Sequence, residues 1–140
     1  MVKIDLERVG EPAAFEAKDE EGHIVRIDTS PAKGGKNYGV RPMQLLLMGL
    51  GGCSGIDVLS ILKKQRQEVK SFRMHIEADR EQGKDVNLWT DITLVFVFGG
   101  DIDRAKAERA CALSIDKYCS VAETLRRAGS NFNWRLEIHP

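Results

Sequence analysis

The stretch LLLMGLGGCSGIDVLSIL, Leu45 to Leu62, decides how this chain is read. Its 18 residues hold one charge, Asp57, together with four glycines and a single cysteine, Cys53. A surface helix would show a polar face every three or four residues, and this one shows none. Pro42 stands where a first helical residue sits well. The apolar run gives out at KKQRQ, so a helix is expected over 41–67. Lys63, Lys64 and Arg66 fall near its end, where cations complement the helix dipole. A bilayer span needs about 20 apolar residues. Four glycines, two serines and Asp57 inside the stretch argue instead for a helix enclosed by protein, with no membrane association.

Strands are expected on both sides of this helix. Val2, Ile4 and Leu6 alternate with Lys3, Asp5 and Glu7, the pattern of a half-buried strand. A second strand is expected over Ala13–Lys18, and HIVRID supplies a third. The Pro- and Gly-rich segment Ser30–Gly39 reads as a loop. After the helix, Phe72, Met74, Ile76 and Ala78 alternate with charged or polar residues. EQGKD makes a turn, and Leu88, Thr90, Ile92, Leu94, Phe96 and Phe98 form the partner strand. Asp101 or Asp103 can cap the helix DRAKAERACALSIDKYC. Ser120 and Glu123 form an S-x-x-E capping box for a second short helix, which Gly129 stops. Phe132, Trp134, Leu136 and Ile138 alternate in a closing strand.

The order is therefore an N-terminal β region over 1–40, the central helix over 41–67, and ββααβ over 68–140. Hairpins dominate, so an α+β fold with antiparallel sheets is expected. A chain of 140 residues is the usual size of one domain. It has few elements to cover a helix that is apolar all round, and a second copy of the chain can supply the rest, which points to a homodimer.

Lys+Arg and Asp+Glu both number 21, so no net field draws the chain to nucleic acid or to an anionic membrane. The N-terminus MVKIDLERVG lacks the apolar core of a secretory signal. Three cysteines are too few for a disulfide framework. A cytoplasmic protein with reduced thiols is expected.

The thiols are the candidate chemistry. No cysteine or histidine forms a C-x-x-C or H-x-x-x-H pair, and no phosphate-cradling or dinucleotide fingerprint is present, so neither metal nor cofactor is expected. His23, His75 and His139 read as surface or sheet-face residues. Cys111 lies among alanines and reads as a small buried hydrophobe. Cys119 directly precedes the Ser120 cap, where the positive end of a helix favours thiolate. Cys111 and Cys119 are eight residues apart, roughly 12 Å of helical rise. A disulfide needs Cα atoms within about 7 Å. If a dithiol is used, Cys53 is one member and Cys119 the better second. The glycines at 49, 51, 52 and 55 fit close approach of another backbone, or room for a substrate beside the sulfur.

Two segments resemble a known family. GVRPMQLLLMGLGGCSGIDVLSILKK resembles the central-helix motif of the OsmC/Ohr family, G-x-x-P-x-x-L-L followed by G-G-C-x-x-x-D-V. KYCSVAETL resembles its second cysteine motif, and the order of elements matches from about Val2 onward. The resemblance implies an intertwined α+β homodimer of OsmC-like fold with two active sites between subunits. It implies Cys53 as the peroxidatic and Cys119 as the resolving cysteine of a thiol-dependent peroxidase. Its substrate would be an organic hydroperoxide or hydrogen peroxide, and a lipoyl-type or other small thiol would reduce the disulfide. The family's peroxidases hold an arginine and a glutamate around the reactive thiol. Here the corresponding turn, Pro42-Met43-Gln44-Leu45, has no carboxylate, and AAFEAK has no arginine. Arg8, Arg26 and Arg41 are the nearby candidates. A second reading follows from that departure: a non-catalytic OsmC-like dimer that binds a small apolar or electrophilic ligand, or acts as a thiol redox sensor.

Overall fold

The N-terminal strands form a small antiparallel sheet in the order β1 (Asp5–Gly10), β2 (Ala14–Lys18), β3 (Ile24–Ile27). The structure, a computed structural model, describes all of residues 1–140 and divides them into two units, Met1–Leu47 and Met48–Pro140. The first strand begins at Asp5, opposite Lys18, not at Val2. The ladder ends where β2 ends, and Val2, Ile4 and Leu6 remain exposed, so the expected half-buried face is absent from the single chain. The loop after β3 is organised by Asp28, whose buried carboxylate accepts the backbone N–H groups of Thr29, Lys36 and Tyr38 at 2.7, 3.0 and 3.0 Å. These bonds, Tyr38 first, hold its carboxyl below the usual range. Gly39 must be glycine, because a Cβ there would run into the Arg26 backbone that Val40 bonds.

The central helix, α1, runs Pro42–Lys64. Gln44 reaches back at its start, accepting the Arg41 N–H at 2.9 Å, half of a capping box. The helix stops three residues before the expected Gln67. Arg66 takes a left-handed conformation at φ 58°. The Gln67 N–H then bonds the Leu62 carbonyl at 2.9 Å and the Arg66 N–H bonds the Lys63 carbonyl at 3.0 Å. That paired closure is a Schellman motif, with arginine where glycine is usual.

The second unit carries a sheet in the order β4 (Ser71–Arg80), β5 (Trp89–Gly99), β6 (Asn131–His139). β4 and β5 are antiparallel, with Phe72 opposite Phe98 and Ile76 opposite Leu94. β5 and β6 are parallel, with Leu94 opposite Trp134, which corrects the expectation of purely antiparallel pairing. The reason lies in the connection. Residues 100–130 cross over through two helices, the kind of link a parallel pair requires. Ile92, Leu94, Phe96 and Phe98 are fully buried on β5, as are Leu50, Val58 and Leu62 on α1. Gly51 and Gly55 bring the helix onto β4. A Cβ at Gly51 would stand 3.0 Å from Ile76, and one at Gly55 3.2 Å from Met74 and 3.4 Å from Phe72. Gly49 and Gly52 meet nothing within 4 Å. The four glycines therefore divide between close packing and open space.

The opposite side of α1 is bare in the single chain. Met48, Ile56 and Leu59 are 52%, 71% and 40% exposed, so the helix is enclosed on one side only.

The crossover also departs from expectation. Asp103 caps α2 (Arg104–Leu113), its carboxylate accepting the Lys106 N–H at 2.9 Å. The helix does not continue to Cys119. It widens at Ser114–Tyr118 into a π-helical turn, closed by the Cys119 N–H on the Ser114 carbonyl at 2.8 Å. Then α3 (Ser120–Arg127) begins.

Candidate active site

The π-helical turn positions this site, because it holds two of its residues at its two ends. Ser114 opens the turn and Cys119 closes it. The Arg126 guanidinium donates to the Ile115 carbonyl at 2.7 Å, tying α3 back to the turn. Single wide turns of this kind are rare and gather at functional sites.

The expected capping box at Ser120 does not form. Cys119 itself is the N-cap of α3, its sulfur accepting the Ala122 N–H at 3.4 Å. Glu123, the box's other half, turns instead to Arg126 and Arg127 at 2.6 and 2.8 Å. Gly129 takes φ 108° just past the helix, the stop that its sequence position indicated. The Cys119 thiol also differs from expectation. Burial, with 2% of the residue exposed, pushes it up to about 11. The Ala122 N–H counters this, and the neighbouring Cys53 sulfur adds to it. Desolvation outweighs the helix end, so Cys119 is a protonated thiol near neutral pH.

Cys53 lies on α1, half-buried. Its sulfur, the Cys119 sulfur and a carboxylate oxygen of Asp57 all lie within 4.8 Å of one another. The two thiols favoured by sequence thus come together from segments 66 residues apart. Cys111 stays apart as a fully buried residue of α2, its thiol pushed up to about 12 by burial first and Glu108 second.

Asp57 was not anticipated. It stands four residues after Cys53, one turn along the same helix, a spacing that puts both side chains on one face. Two fully buried serines support it. The Ser114 hydroxyl lies 2.9 Å from Ser54 Oγ, 3.2 Å from the Ser54 carbonyl and 3.3 Å from Asp57 Oδ2. The sequence held the Cys53/Asp57 spacing in plain view, but nothing in it announced Ser114, whose position depends on the π-helical turn. The expectation of no metal site rested on ligand pairs adjacent in sequence. Here three donors converge from two distant segments instead.

On the outer side of Cys119 two adjoining clefts of about 310 and 360 Å³ share Lys117, Cys119, Glu123 and Arg127 in their linings. The three candidate arginines each have a local partner. Arg8 pairs with Glu11 at 3.2 Å, Arg26 lies over the Tyr38 ring at 5.5 Å, and Arg41 donates to the Gly39 carbonyl at 2.8 Å.

Comparison with known proteins agrees with this fold. The family described as OsmC-like protein matches residues 34–135. Protein YhfA of Escherichia coli K12 is 37% identical over 119 residues, 84% of this chain and 85% of its own length. A hypothetical protein from Aquifex aeolicus VF5, known as a crystal structure, superposes with a TM-score of 0.81 at 30% identity, covering 100% of this chain and 98% of its own. The organic hydroperoxide resistance protein OhrB of Bacillus subtilis shares the fold, with a TM-score of 0.65 at 22% identity over 99% of this chain and 97% of its own.

Proposed function

The chain belongs to the OsmC-like family, and from that premise we propose that it is a thiol-dependent, peroxidase-like redox protein. Its substrates are organic hydroperoxides or hydrogen peroxide, and its redox pair is Cys53 and Cys119. The observation that carries this reading is the meeting of two sulfurs and a carboxylate within 4.8 Å, one thiol half-buried and the other buried. The name of OhrB, a protein of the same fold, points to organic hydroperoxides.

Each step balances. The Cys53 thiolate attacks one peroxide oxygen. An S–O bond forms as the O–O bond breaks, the sulfur is oxidised by two electrons, and the alkoxide leaves to take a proton as alcohol. Cys119 then attacks the Cys53 sulfenic acid and forms the disulfide. The hydroxide that leaves takes up the Cys119 proton and departs as water. A lipoyl-type or other small dithiol restores both thiols by exchange and is itself oxidised to a disulfide. The clefts beside Cys119 offer that reductant an approach. The working form is a cytoplasmic homodimer in which the bare side of α1 is covered.

Mixing the reduced protein with cumene hydroperoxide and counting free thiols tests the reading. Two of the three thiols are lost quickly, Cys53→Ser prevents the loss, and Cys119→Ser leaves a sulfenic acid at Cys53. Consumption no faster than that of an ordinary free thiol overturns it.

A second reading rests on one observation: the turn Pro42–Leu45, in which the family's peroxidases carry a glutamate, holds no carboxylate, and the Gln44 side chain within it is used to cap α1. A dimer that binds a small apolar or electrophilic ligand at Cys53, or senses redox state through it, requires no activated peroxide. Such a protein forms an adduct or a slow disulfide without turnover.

A further inference from the structure

We propose that Cys53, Asp57 and Cys119 together bind one thiophilic divalent cation of the zinc class. Two thiolates and one carboxylate are a zinc-type donor set. With Zn–S near 2.3 Å and Zn–O near 2.1 Å, tetrahedral geometry puts ligand atoms about 3.6–3.8 Å apart. The three donor atoms already lie within 4.8 Å of one another. Closing around an ion requires contraction by about 1 Å at most, within the reach of side-chain rotation. The fourth position stays open to water or an exogenous ligand, as in catalytic rather than structural zinc sites.

The outer shell is the second, independent observation. Metal ligands are characteristically held by hydrogen bonds from behind. Asp57 Oδ2 has the Ser114 hydroxyl at 3.3 Å, and Ser114 is itself fully buried and braced on Ser54. The Cys119 sulfur accepts the Ala122 N–H at 3.4 Å. Both distal ligands are thus oriented, while Cys53 lies half-buried on the side an ion would enter. Binding is an acid–base event without electron transfer. Two S–H protons are released, two metal–sulfur bonds and one metal–oxygen bond form, and the cation keeps its charge. The ion occupies both thiols and excludes their oxidation to a disulfide. The inference does not rest on peroxidase activity, since the same donors bind whether or not the dithiol turns over.

The test uses the reduced, metal-free full chain, titrated anaerobically with Co(II) as probe and then with Zn(II). One cobalt binds per chain, with a sulfur-to-cobalt charge-transfer band and the intense visible bands of a tetrahedral centre, and zinc displaces it. Cys53→Ser and Cys119→Ser each reduce the charge-transfer intensity. Asp57→Asn, nearly isosteric at a half-buried position, keeps the fold by circular dichroism and weakens binding more than tenfold. Zinc also shields two thiols from alkylation. No charge-transfer band at saturating cobalt, a stoichiometry other than one per chain, or unchanged affinity in Asp57→Asn overturns the site. Thiol counting with cumene hydroperoxide on the metal-free chain is a separate readout, so failure of the peroxidase reading leaves the metal result standing, and the reverse holds too.

Discussion

Ser114 and Cys119 mark the two ends of one π-helical turn, joined by the Cys119 N–H on the Ser114 carbonyl at 2.8 Å. Through that bond the backbone couples the residue that holds Asp57 to the residue that faces Cys53. Ser114→Ala removes a fully buried hydroxyl that serves Ser54 and Asp57 together. Leaving buried polar groups unpaired costs about 1–3 kcal/mol. Urea denaturation is expected to show a loss of that size. The rate of Cys53–Cys119 disulfide formation with peroxide should fall as well, since the turn that aims Cys119 loosens. Unchanged values of both quantities would refute the coupling.

The three thiols should alkylate in order of accessibility. Cys53 is half-buried, whereas Cys119 is 2% and Cys111 0% exposed. Burial also keeps the latter two protonated, with values of about 11 and about 12. Only thiolates react with iodoacetamide at a useful rate. Mass spectrometry of the native chain near neutral pH should therefore find Cys53 labelled first and Cys111 last. Labelling of Cys119 ahead of Cys53 would reverse the roles proposed for them.

The end of α1 was misplaced by three residues, but its start, and an Asx cap at Asp101 or Asp103, were legible because each rests on local chemistry: a proline, an apolar run and an acidic residue before a helix. The strand faces of Phe72–Ala78 and Phe132–Ile138 were legible for the same reason, since alternation is a property of the segment alone. The parallel pairing of β5 with β6 was not, because it depends on where a long crossover returns the chain. The thiol pair was visible as candidates, yet the ionisation of Cys119 was misjudged. A helix end is written in the sequence, but the desolvation that outweighs it exists only after packing. Asp57 was legible by spacing and overlooked. Ser114 was illegible, since neither a serine among buried residues nor the widening of α2 carries a local signal.

Alkaline stability provides a check on Cys111. Its thiol is raised from 9.0 to about 12 in the fold. Between those values the unfolded chain releases a proton that the folded chain keeps, so stability must fall as pH rises. The contribution is fully present below pH 9 and is lost by about pH 12. Other groups titrate there too, so the comparison is with Cys111→Ala. That variant should be less stable at neutral pH by the small cavity it makes, and the deficit should shrink as pH climbs through the window. A deficit independent of pH would show that the thiol is not shifted.

The Schellman closure of α1 places Arg66 at φ 58°. A left-handed conformation costs an L-residue roughly 1–2 kcal/mol, and glycine avoids most of it. Part of that gain is returned as the greater chain entropy of unfolded glycine. Arg66→Gly is expected to raise unfolding stability by about 0.5–1 kcal/mol, with no effect on thiol reactivity. A loss of stability would mean that the arginine side chain makes a contact outweighing its backbone strain.

The bare side of α1 separates a lone chain from an assembled one. Ile56 is 71% exposed in the single chain and Met48 52%. In a monomer, Ile56→Lys is a surface substitution, worth within about 0.5 kcal/mol either way. If a second copy covers that face, the same lysine is buried without a partner, a cost of several kcal/mol per ion. Sedimentation is expected to give twice the single-chain mass of 15.6 kDa for the natural chain. Ile56→Lys should shift it toward the monomer and lower its melting temperature, since the monomer loses the stabilisation that association gives. If the natural chain sediments as a monomer and the variant melts unchanged, the apolar side of α1 is solvent-facing, and the dimer falls with it.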